Sequence, residues 1–293
     1  MSVFDIPAWV KQHSFAGKQF DDLSDLELED LRRRLALFAH EEPEVSVVIP
    51  AWNEENNIFR TLSSLASSLT PLKVEIVVIN NNSTDRTQAI LDQLGVKSYF
   101  EAQQGISFTR HTGLLSAKGK YHLCADSDTF YPPEWIDQMV APLKRSNDVV
   151  GVYGRYSFIP PAGQSRAVLW IYEKFAGILI RLRRHSREHI NFLGFNMGFI
   201  TSVGMETGGF VVAKARKFDN SGDDFVDESE DGRMAVNLKT RGKLKLITKS
   251  GARVFTSSRR LLADGGVFTS FHKRFNLHFR RIGEYLASAP YKD

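Results

Sequence analysis

The feature that most constrains the fold is a repeated alternation of short apolar runs with longer segments of helical periodicity. The runs VSVVIP, VEIVVIN and YHLCA begin at Val45, Val74 and Tyr121, and the first two are rich in β-branched residues. Amphipathic segments lie between them, and we expect Asn53 or Asn56 to cap the first of these helices. Such alternation favours right-handed crossovers and a mostly parallel sheet covered by helices on both faces. The sequence therefore predicts an α/β, Rossmann-like domain.

Polar residues follow each of these three runs. In an open parallel sheet the carboxyl ends of the strands meet at one edge, where ligands bind. We therefore expect Pro50 to Asn53, Asn80 to Asn82 and Asp126 to Asp128 to lie together and to form the ligand pocket.

Composition limits the classes of protein that remain. A chain of 293 residues with 42% hydrophobic residues suits one large domain or two closely fused halves. Cys124 is the only cysteine, which with the lack of a charged-then-apolar leader predicts a cytoplasmic location. The longest apolar segment is interrupted by Glu173 and Lys174 and is shorter than the roughly 20 residues of a membrane span. The excess of 38 basic over 34 acidic residues is too small to favour nucleic acid as a partner.

Asp126 and Asp128 follow the third run and are separated by one serine. Hard carboxylate oxygens at a strand end suit Mg²⁺ or Mn²⁺, and such ions keep open positions for phosphate oxygens. A capped turn is the alternative reading, because Asp and Ser are common in turns. The pair alone does not decide between these two interpretations.

Several weak motifs, taken together in their order along the chain, favour the metal-site interpretation. The chain resembles the inverting family 2 glycosyltransferases of the GT-A fold from Val45 to Arg260. The resemblance rests on VSVVIPAWNEENNI, EIVVINNNSTDRT, GISFTRHTGLLSAKGKYHLCADSDTFYPPEWI, GGFVVAKARKF and SEDGRMAVNLKTRG. It implies transfer of a sugar from a nucleotide-sugar, usually a UDP-sugar, to an acceptor hydroxyl. It also implies Mn²⁺ or Mg²⁺ at the Asp-X-Asp, and an acceptor that is a glycan, a lipid-linked molecule or a small molecule.

The resemblance assigns the first strand ends to the nucleotide. Pro50, Ala51 and Trp52 match positions that meet the base and ribose, and Glu54 lies on the same loop. Asn80 matches an acidic position that in many members accepts the uracil N–H. An amide both donates and accepts hydrogen bonds, so a guanine or thymine nucleotide stays open.

The resemblance assigns further residues to the diphosphate and the metal. Arg110 matches a basic position near the pyrophosphate, Asp126 one near the ribose and the metal, and Asp128 the metal ligand. Arg259 and Arg260 match a loop that closes over the phosphates. A solvated basic turn is the alternative reading for these two arginines.

Inversion requires a base that removes the acceptor proton during in-line attack. Asp231 matches the base of the family, and Glu230 is its neighbour. We expect both to begin a helix whose dipole holds the carboxylate ionised. An acidic first turn that serves only helix stability is the alternative.

These assignments divide the chain into four regions. They are an N-terminal helical extension in residues 1–43, a nucleotide-sugar-binding half in 44–150, an acceptor-binding half with the base in 151–260, and a C-terminal tail in 261–293.

Other functions stay open at this point. His185, Glu188 and His189 fit a zinc-hydrolase pattern, although no third ligand follows. A nucleotide-sugar-binding protein without transfer is a second alternative. A nucleotidyltransferase is a third, but the loop after the first run has neither the glycine nor the lysine that cradle a triphosphate.

The acceptor-side half raises two further expectations. An apolar helical face followed by four arginines would suit peripheral contact with anionic lipid, although most such helices cover a core. The segment Phe192 to Phe199, with Gly194 and Gly198, would form a flexible acceptor-side loop, or its glycines would serve only turns. The residues of the helical face are Val168, Ile171, Tyr172, Phe175, Ile178, Leu179 and Leu182, followed by Arg181, Arg183, Arg184 and Arg187.

Overall fold

We describe the protein from a computed structural model that covers residues 5–161, 165–210, 229–259, 261 and 265–286. Arg260 and residues 211–218 of the GGFVVAKARKF motif lie outside this range.

The described strands form two sheets. They are β1 (Val45–Ala51), β2 (Val74–Asn80), β3 (Ser98–Phe100), β4 (Tyr121–Cys124), β5 (Thr129–Phe130), β6 (Val149–Gly154), β7 (Tyr156–Ile159), β8 (Met197–Ile200), β9 (Lys243–Ile247) and β10 (Val254–Ser257). The large sheet has the order β3-β2-β1-β4-β8-β6-β9, and the small one β5-β10-β7. In the large sheet only β8 runs antiparallel to its neighbours β4 and β6. The predicted mostly parallel sheet is confirmed.

Helices cover both faces of the large sheet. They are α1 (Ala8–His13), α2 (Asp25–Ala36), α3 (Ile58–Leu65), α4 (Thr87–Leu94), α5 (Ile106–Ser116), α6 (Trp135–Arg145), α7 (Ala167–Arg183), α8 (Thr201–Glu206), α9 (Glu230–Lys239), α10 (Val267–Arg280) and α11 (Ile282–Leu286). Short 3₁₀ turns occupy Phe15–Gly17, Phe20–Asp22, Glu188–Asn191 and Ser250–Ala252. In the described part of the chain, no helix combines the length and the apolarity that crossing a bilayer demands.

Helix α2 shows how local sequence sets an element. The Ser24 hydroxyl accepts a hydrogen bond from the Glu27 backbone N–H, and the Glu27 carboxylate accepts one from the Ser24 N–H. This capping box satisfies two N–H groups that the first turn leaves open. Arg33 and Arg34 lie in the last turn, where the helix dipole favours positive charge.

The predicted cap of α3 is wrong. The helix begins at Ile58 after Asn57, and no side chain caps it. Asn53 instead has a left-handed φ of 54°, which asparagine tolerates better than most residues. Its Oδ1 accepts hydrogen bonds from the backbone N–H groups of Thr84 (2.8 Å) and Asp85 (3.4 Å). The side chain therefore joins two loops and does not begin a helix.

The core lies on both faces of the large sheet. On one face, Ile49, Leu62 and Trp135 belong to a cluster that α2, α3 and α6 cover. On the other face, Phe199 and Met234 belong to a cluster beneath α9. Burial on both faces explains why β1 and β2 read as continuous apolar runs.

The predicted single apolar face of α7 is wrong. Tyr172 and Leu179 are buried, whereas Ile171 and Ile178 are exposed. Tyr172 packs edge-on against Phe158 with ring centroids 5.6 Å apart. The helix therefore covers a core, and only a minority of the predicted lipid-facing side chains reach the surface.

The predicted flexible loop at Phe192 to Phe199 is also wrong. Phe192, Asn196 and Phe199 are 1%, 1% and 0% exposed, and the segment ends in β8 at the centre of the sheet. The glycines serve close packing, because a Cβ at Gly198 would overlap the Leu123 side chain.

Candidate active site

The three strand ends lie together at one edge of the sheet, as the sequence predicts. The Asn81 N–H donates to the Ala51 carbonyl at 2.8 Å, and the Asn53 N–H donates to the Ser83 hydroxyl at 3.1 Å. The Ala125 N–H donates to the Val48 carbonyl at 3.0 Å, which brings Asp126 to the same edge. Backbone and side-chain hydrogen bonds therefore hold the three strand ends next to one another.

The predicted base-binding residues differ in what they expose. Pro50 and Ala51 are buried in β1, and Trp52 is 38% exposed. The Asn80 amide donates to Gln88 Oε1 at 2.8 Å and accepts from the Ser83 N–H at 3.1 Å. An amide has two donors and two lone pairs, so one of each remains at Asn80, and its role in base recognition stays a prediction.

Asp126 is fixed by two buried side chains. Its backbone N–H donates to the Tyr131 hydroxyl at 2.8 Å, and that hydroxyl donates to the Phe195 carbonyl at 3.0 Å. Its Oδ1 accepts a hydrogen bond from Arg110 Nη2 at 2.8 Å. Sequence reasoning missed Tyr131, since an aromatic residue in a turn gives no signal of a partner 64 residues away.

Arg110 is buried between two carboxylates. Its side chain is 5% exposed and lies between the carboxylates of Asp126 and Asp231, and Nη1 donates to the Gly194 carbonyl at 3.3 Å. Two carboxylates compensate the buried charge. Arg110 therefore bridges the two acidic residues, and its role near the pyrophosphate stays a prediction.

Asp231 begins α9, as predicted, and its two oxygens have different surroundings. Oδ2 accepts a hydrogen bond from the Gly194 N–H at 2.7 Å. Oδ1 lies 3.2 Å from Arg110 Nε, but the alignment makes no hydrogen bond, and Oδ1 has no other partner in the described structure. The neighbouring Glu230 is 4% exposed.

The electrostatics of Asp231 correct another expectation. Burial raises the pKa of Asp231 to about 7, against the opposing effect of Arg110. The helix N-terminus does not keep this carboxyl acidic, because desolvation of the charged form is the larger effect. A group that titrates near neutrality suits proton transfer at physiological pH.

Asp128 and Glu54 both form ion pairs with the guanidinium of Arg259. Arg259 Nη2 lies 2.9 Å from Asp128 Oδ2 and 2.7 Å from Glu54 Oε1. Burial raises the pKa of Glu54 above its ordinary value, and the Asp128 charge adds to that effect. The cluster therefore joins the first strand end to the Asp-X-Asp turn, while Arg260 lies outside the described residues.

The donor set fits a hard divalent ion bound chiefly by phosphate oxygens. Asp126 is paired with Arg110, which is 5% exposed, and Asp128 with Arg259, which is 50% exposed. The more exposed arginine is the easier one to displace, so Asp128 is the principal candidate ligand. Sites for Mg²⁺ typically use one or two carboxylates together with substrate phosphates. Throughout the described ranges, no group of three or more His, Cys, Asp or Glu side chains is placed to hold a metal.

A cavity of about 310 Å³ lies beside this cluster. Of the predicted donor-site residues, Asp128 and Arg259 border it, and Arg60 of α3 and Gly17 of the N-terminal region complete the wall. The N-terminal extension therefore contributes to the surroundings of the proposed metal ligand.

The zinc-hydrolase pattern does not form a site. Helix α7 ends at Arg183, and Glu188 and His189 lie in a 3₁₀ turn, so the two histidines do not share an α-helical face. Glu188 instead accepts a hydrogen bond from the Tyr153 hydroxyl at 3.0 Å and pairs with Lys239.

The sequence matches the family model described as glycosyl transferase family 2 over residues 46–204, more than half of the chain. It is similar to the dolichol-phosphate mannosyltransferase of Pyrococcus furiosus, with 31% identity over 36% of this chain and 31% of that protein. It is also similar to glycosyltransferase AglE of Haloferax volcanii, with 31% identity over 43% of each protein. The chain thus spans well under two thirds of these relatives.

Among solved structures, TarS from Staphylococcus aureus in complex with UDP matches with a TM-score of 0.53 and 16% identity. The match covers 73% of this chain and 60% of that chain. At this identity the likeness concerns the fold, which is the GT-A fold that the sequence predicts.

Proposed function

Because the chain belongs to glycosyl transferase family 2, we propose that it transfers a sugar from a nucleotide-diphosphate sugar to an acceptor hydroxyl with inversion. The observation that carries this proposal is the Arg110 bridge. One buried guanidinium contacts both Asp126 at the donor edge and Asp231 at the start of α9. This shared partner links the proposed base to the proposed donor site, which supports their acting on the same pair of substrates.

We assign Asp231 as the base. Arg110 and the Gly194 N–H hold its carboxylate in place, and the carboxylate accepts the proton of the acceptor hydroxyl. The acceptor oxygen then forms a bond to the anomeric carbon as the bond to the diphosphate oxygen breaks. The proton stays on Asp231, and the electron pair leaves with the nucleoside diphosphate. A single in-line displacement inverts the anomeric centre.

The diphosphate needs compensation of its charge. We propose that Asp128 holds Mn²⁺ or Mg²⁺, which when bound supplies Lewis-acid neutralisation of the leaving group. Arg259, on the rim beside Asp128 and Glu54, donates to the phosphates when the carboxylates no longer hold it.

We propose a UDP-sugar as donor, with Pro50, Ala51 and Trp52 at the base and ribose. The UDP complex of TarS supports uracil as the first base to test. The amide at Asn80 keeps guanine and thymine nucleotides in the comparison. The acceptor is a glycan, a lipid-linked molecule or a small molecule, and the name of the Pyrococcus furiosus relative supports testing lipid-linked phosphates.

A nucleotide-sugar screen tests this proposal. Release of nucleoside diphosphate is measured for UDP-, GDP- and dTDP-sugars with a panel of acceptors, with and without Mn²⁺. We expect acceptor-dependent release with one donor, and a product whose anomeric configuration by NMR is opposite to that of the donor. Binding of a donor without release with any acceptor would favour the alternative of a nucleotide-sugar-binding protein. Retention of configuration would contradict the assignment of Asp231.

We also propose a cytoplasmic location, since Cys124 is a buried free thiol that needs no oxidising compartment. We also propose peripheral membrane contact through α7. On the predicted apolar face of this helix, the exposed side chains are chiefly Ile171 and Ile178, so this proposal has less support. Sedimentation with anionic vesicles at low salt measures it, and absence of binding would count against it.

A further inference from the structure

A second cavity, of about 50 Å³, lies between α7, α10 and the 3₁₀ turn Glu188–Asn191. A water molecule needs about 10–15 Å³, so the space admits a group of a few non-hydrogen atoms. Its polar lining includes Arg183, Arg274 and His278, and none of the residues described around it is acidic.

Arg183 is the unusual member of this lining. The residue is 7% exposed, and its Nε and Nη2 atoms have no hydrogen-bond partner among the described residues. Its guanidinium lies 4.9 Å from the centre of the Tyr285 ring, a contact that compensates part of the charge. A buried cation without an anionic partner is strongly unfavourable. The cavity therefore favours an anion beside Arg183.

Arg274 and His278 also line the cavity, and Arg274 adds a second positive charge. Arg274 Nη1 donates to the Tyr172 hydroxyl at 3.1 Å. Burial lowers the pKa of His278 to about 3, with further lowering by Arg183, Arg274 and Arg281. The imidazole is therefore neutral at physiological pH, and its Nδ1 contacts the Tyr285 hydroxyl at 2.9 Å.

The cavity adjoins the proposed base along the chain. Leu193 lines the cavity, and the next residue, Gly194, donates its N–H to Asp231. We propose that this cavity binds a phosphate group carried by the acceptor, through Arg183 and Arg274. The link to the acceptor rests on the proposed function, whereas phosphate binding itself does not.

Thermal unfolding with inorganic phosphate, against chloride at matched ionic strength, tests the site. We expect phosphate at ten times its Kd to raise the midpoint of the wild type by about 3 °C. Arg183→Met should lose this rise, while Arg181→Met, an exposed arginine on the same helix, should keep it. A wild type that phosphate does not stabilise, or an Arg183→Met protein that it stabilises fully, would overturn the proposal.

The same variant separates binding from a structural role. Without phosphate, Arg183→Met should unfold at a higher temperature than the wild type, because it removes a buried charge that has no anionic partner among the described residues. A lower midpoint would mean that the protein itself satisfies Arg183, against the proposal. If Arg183→Met does not fold, Arg274→Gln takes its place, with an expected loss of at least tenfold in phosphate affinity. Unchanged affinity in Arg274→Gln would equally overturn the proposal.

Two phosphate esters distinguish the source of the group. Glycerol phosphate and a single-chain alkyl phosphate below its micelle concentration are compared by calorimetry, without any donor. Tighter binding of the alkyl ester would indicate a lipid-borne acceptor, and equal binding of the two esters would indicate a soluble acceptor. If neither ester binds, the proposed phosphate site is refuted. Because no donor is present, these measurements do not depend on sugar transfer, so failure of the transferase assignment leaves this result readable.

Discussion

At the scale of single residues, Asp231 sets the pH dependence of the reaction. The base works only when ionised, and burial raises its pKa to about 7. We therefore predict that turnover at saturating donor falls tenfold per pH unit on the acid side, with a midpoint near 7. A rate profile from pH 5 to 9 measures this. A rate that stays constant down to pH 5 would exclude Asp231 as the titrating base.

The same residue affects stability with the opposite sign. A carboxyl whose pKa is higher in the folded than in the unfolded state stabilises the fold below the unfolded value, and this contribution is lost as the pH rises through 7. We predict that Asp231→Asn gains stability relative to the wild type between pH 5 and pH 8, by at least about 1 kcal/mol. Urea unfolding at both pH values measures the gain. An equal difference between the two proteins at both pH values would contradict the assigned pKa.

Arg259 competes with a metal for Asp128. Its guanidinium contacts both Asp128 and Glu54, where a bound cation would also lie. We predict that Arg259→Ala binds Mn²⁺ more tightly than the wild type without nucleotide, and that Asp128→Ala binds it at least tenfold more weakly. The electron paramagnetic resonance signal of free Mn²⁺ measures both. Arg253→Ala controls for the loss of a positive charge. Unchanged Mn²⁺ affinity in Asp128→Ala would show that Asp128 is not a metal ligand.

Residue chemistry was predictable where it depended on the local sequence. Asp231 at a helix start and the strand-end aspartates could be placed from sequence spacing and the family resemblance. The orientation of Arg110 and the roles of Tyr131 and Asn53 could not, because their partners lie on segments distant in sequence. Only the fold brings these groups together.

At the scale of elements, the segment before β8 supports the proposed base. The Gly194 N–H donates a hydrogen bond to Asp231, and its carbonyl accepts one from Arg110. A Cβ at Gly194 would overlap the Arg110 guanidinium. We predict that Gly194→Ala lowers turnover at least tenfold and destabilises the protein by about 1–3 kcal/mol. Gly177→Ala in α7 is the control, since no atom lies within 4 Å of its added Cβ. Turnover in Gly194→Ala like that of the control would mean that Arg110 is not a fixed bridge.

Elements with a clear hydrophobic periodicity in the sequence were predictable. Elements whose conformation depends on tertiary packing were not. The β1 and β2 strands followed from their apolar, β-branched composition, and α2 lies in the predicted N-terminal helical extension. The segment Phe192 to Phe199, which runs into β8, was misread as a flexible loop because Gly194 and Gly198 signal flexibility in sequence but serve close packing in the structure. The face of α7 was misread because its apolar residues extend around the helix, and packing against β7 decides which of them are buried.

At the scale of the whole molecule, the sheet order brings the two halves into contact. β4, which leads to the Asp-X-Asp, pairs with β8, which follows the Gly194 segment. The N-terminal helices join the same body, since His13 Nδ1 lies 3.0 Å from the Ser63 hydroxyl of α3. The α/β class was predictable from alternation, but the antiparallel insertion of β8 depends on long-range pairing that no local pattern encodes.

The measurement that tests the account most directly compares donor binding and turnover in Asp231→Asn. The account predicts that donor Kd by calorimetry stays within about twofold of the wild type while turnover falls by roughly 10² to 10⁴, the usual contribution of a positioned base. Near wild-type turnover, or loss of donor binding, would contradict Asp231 as the base that faces the donor across the Arg110 bridge.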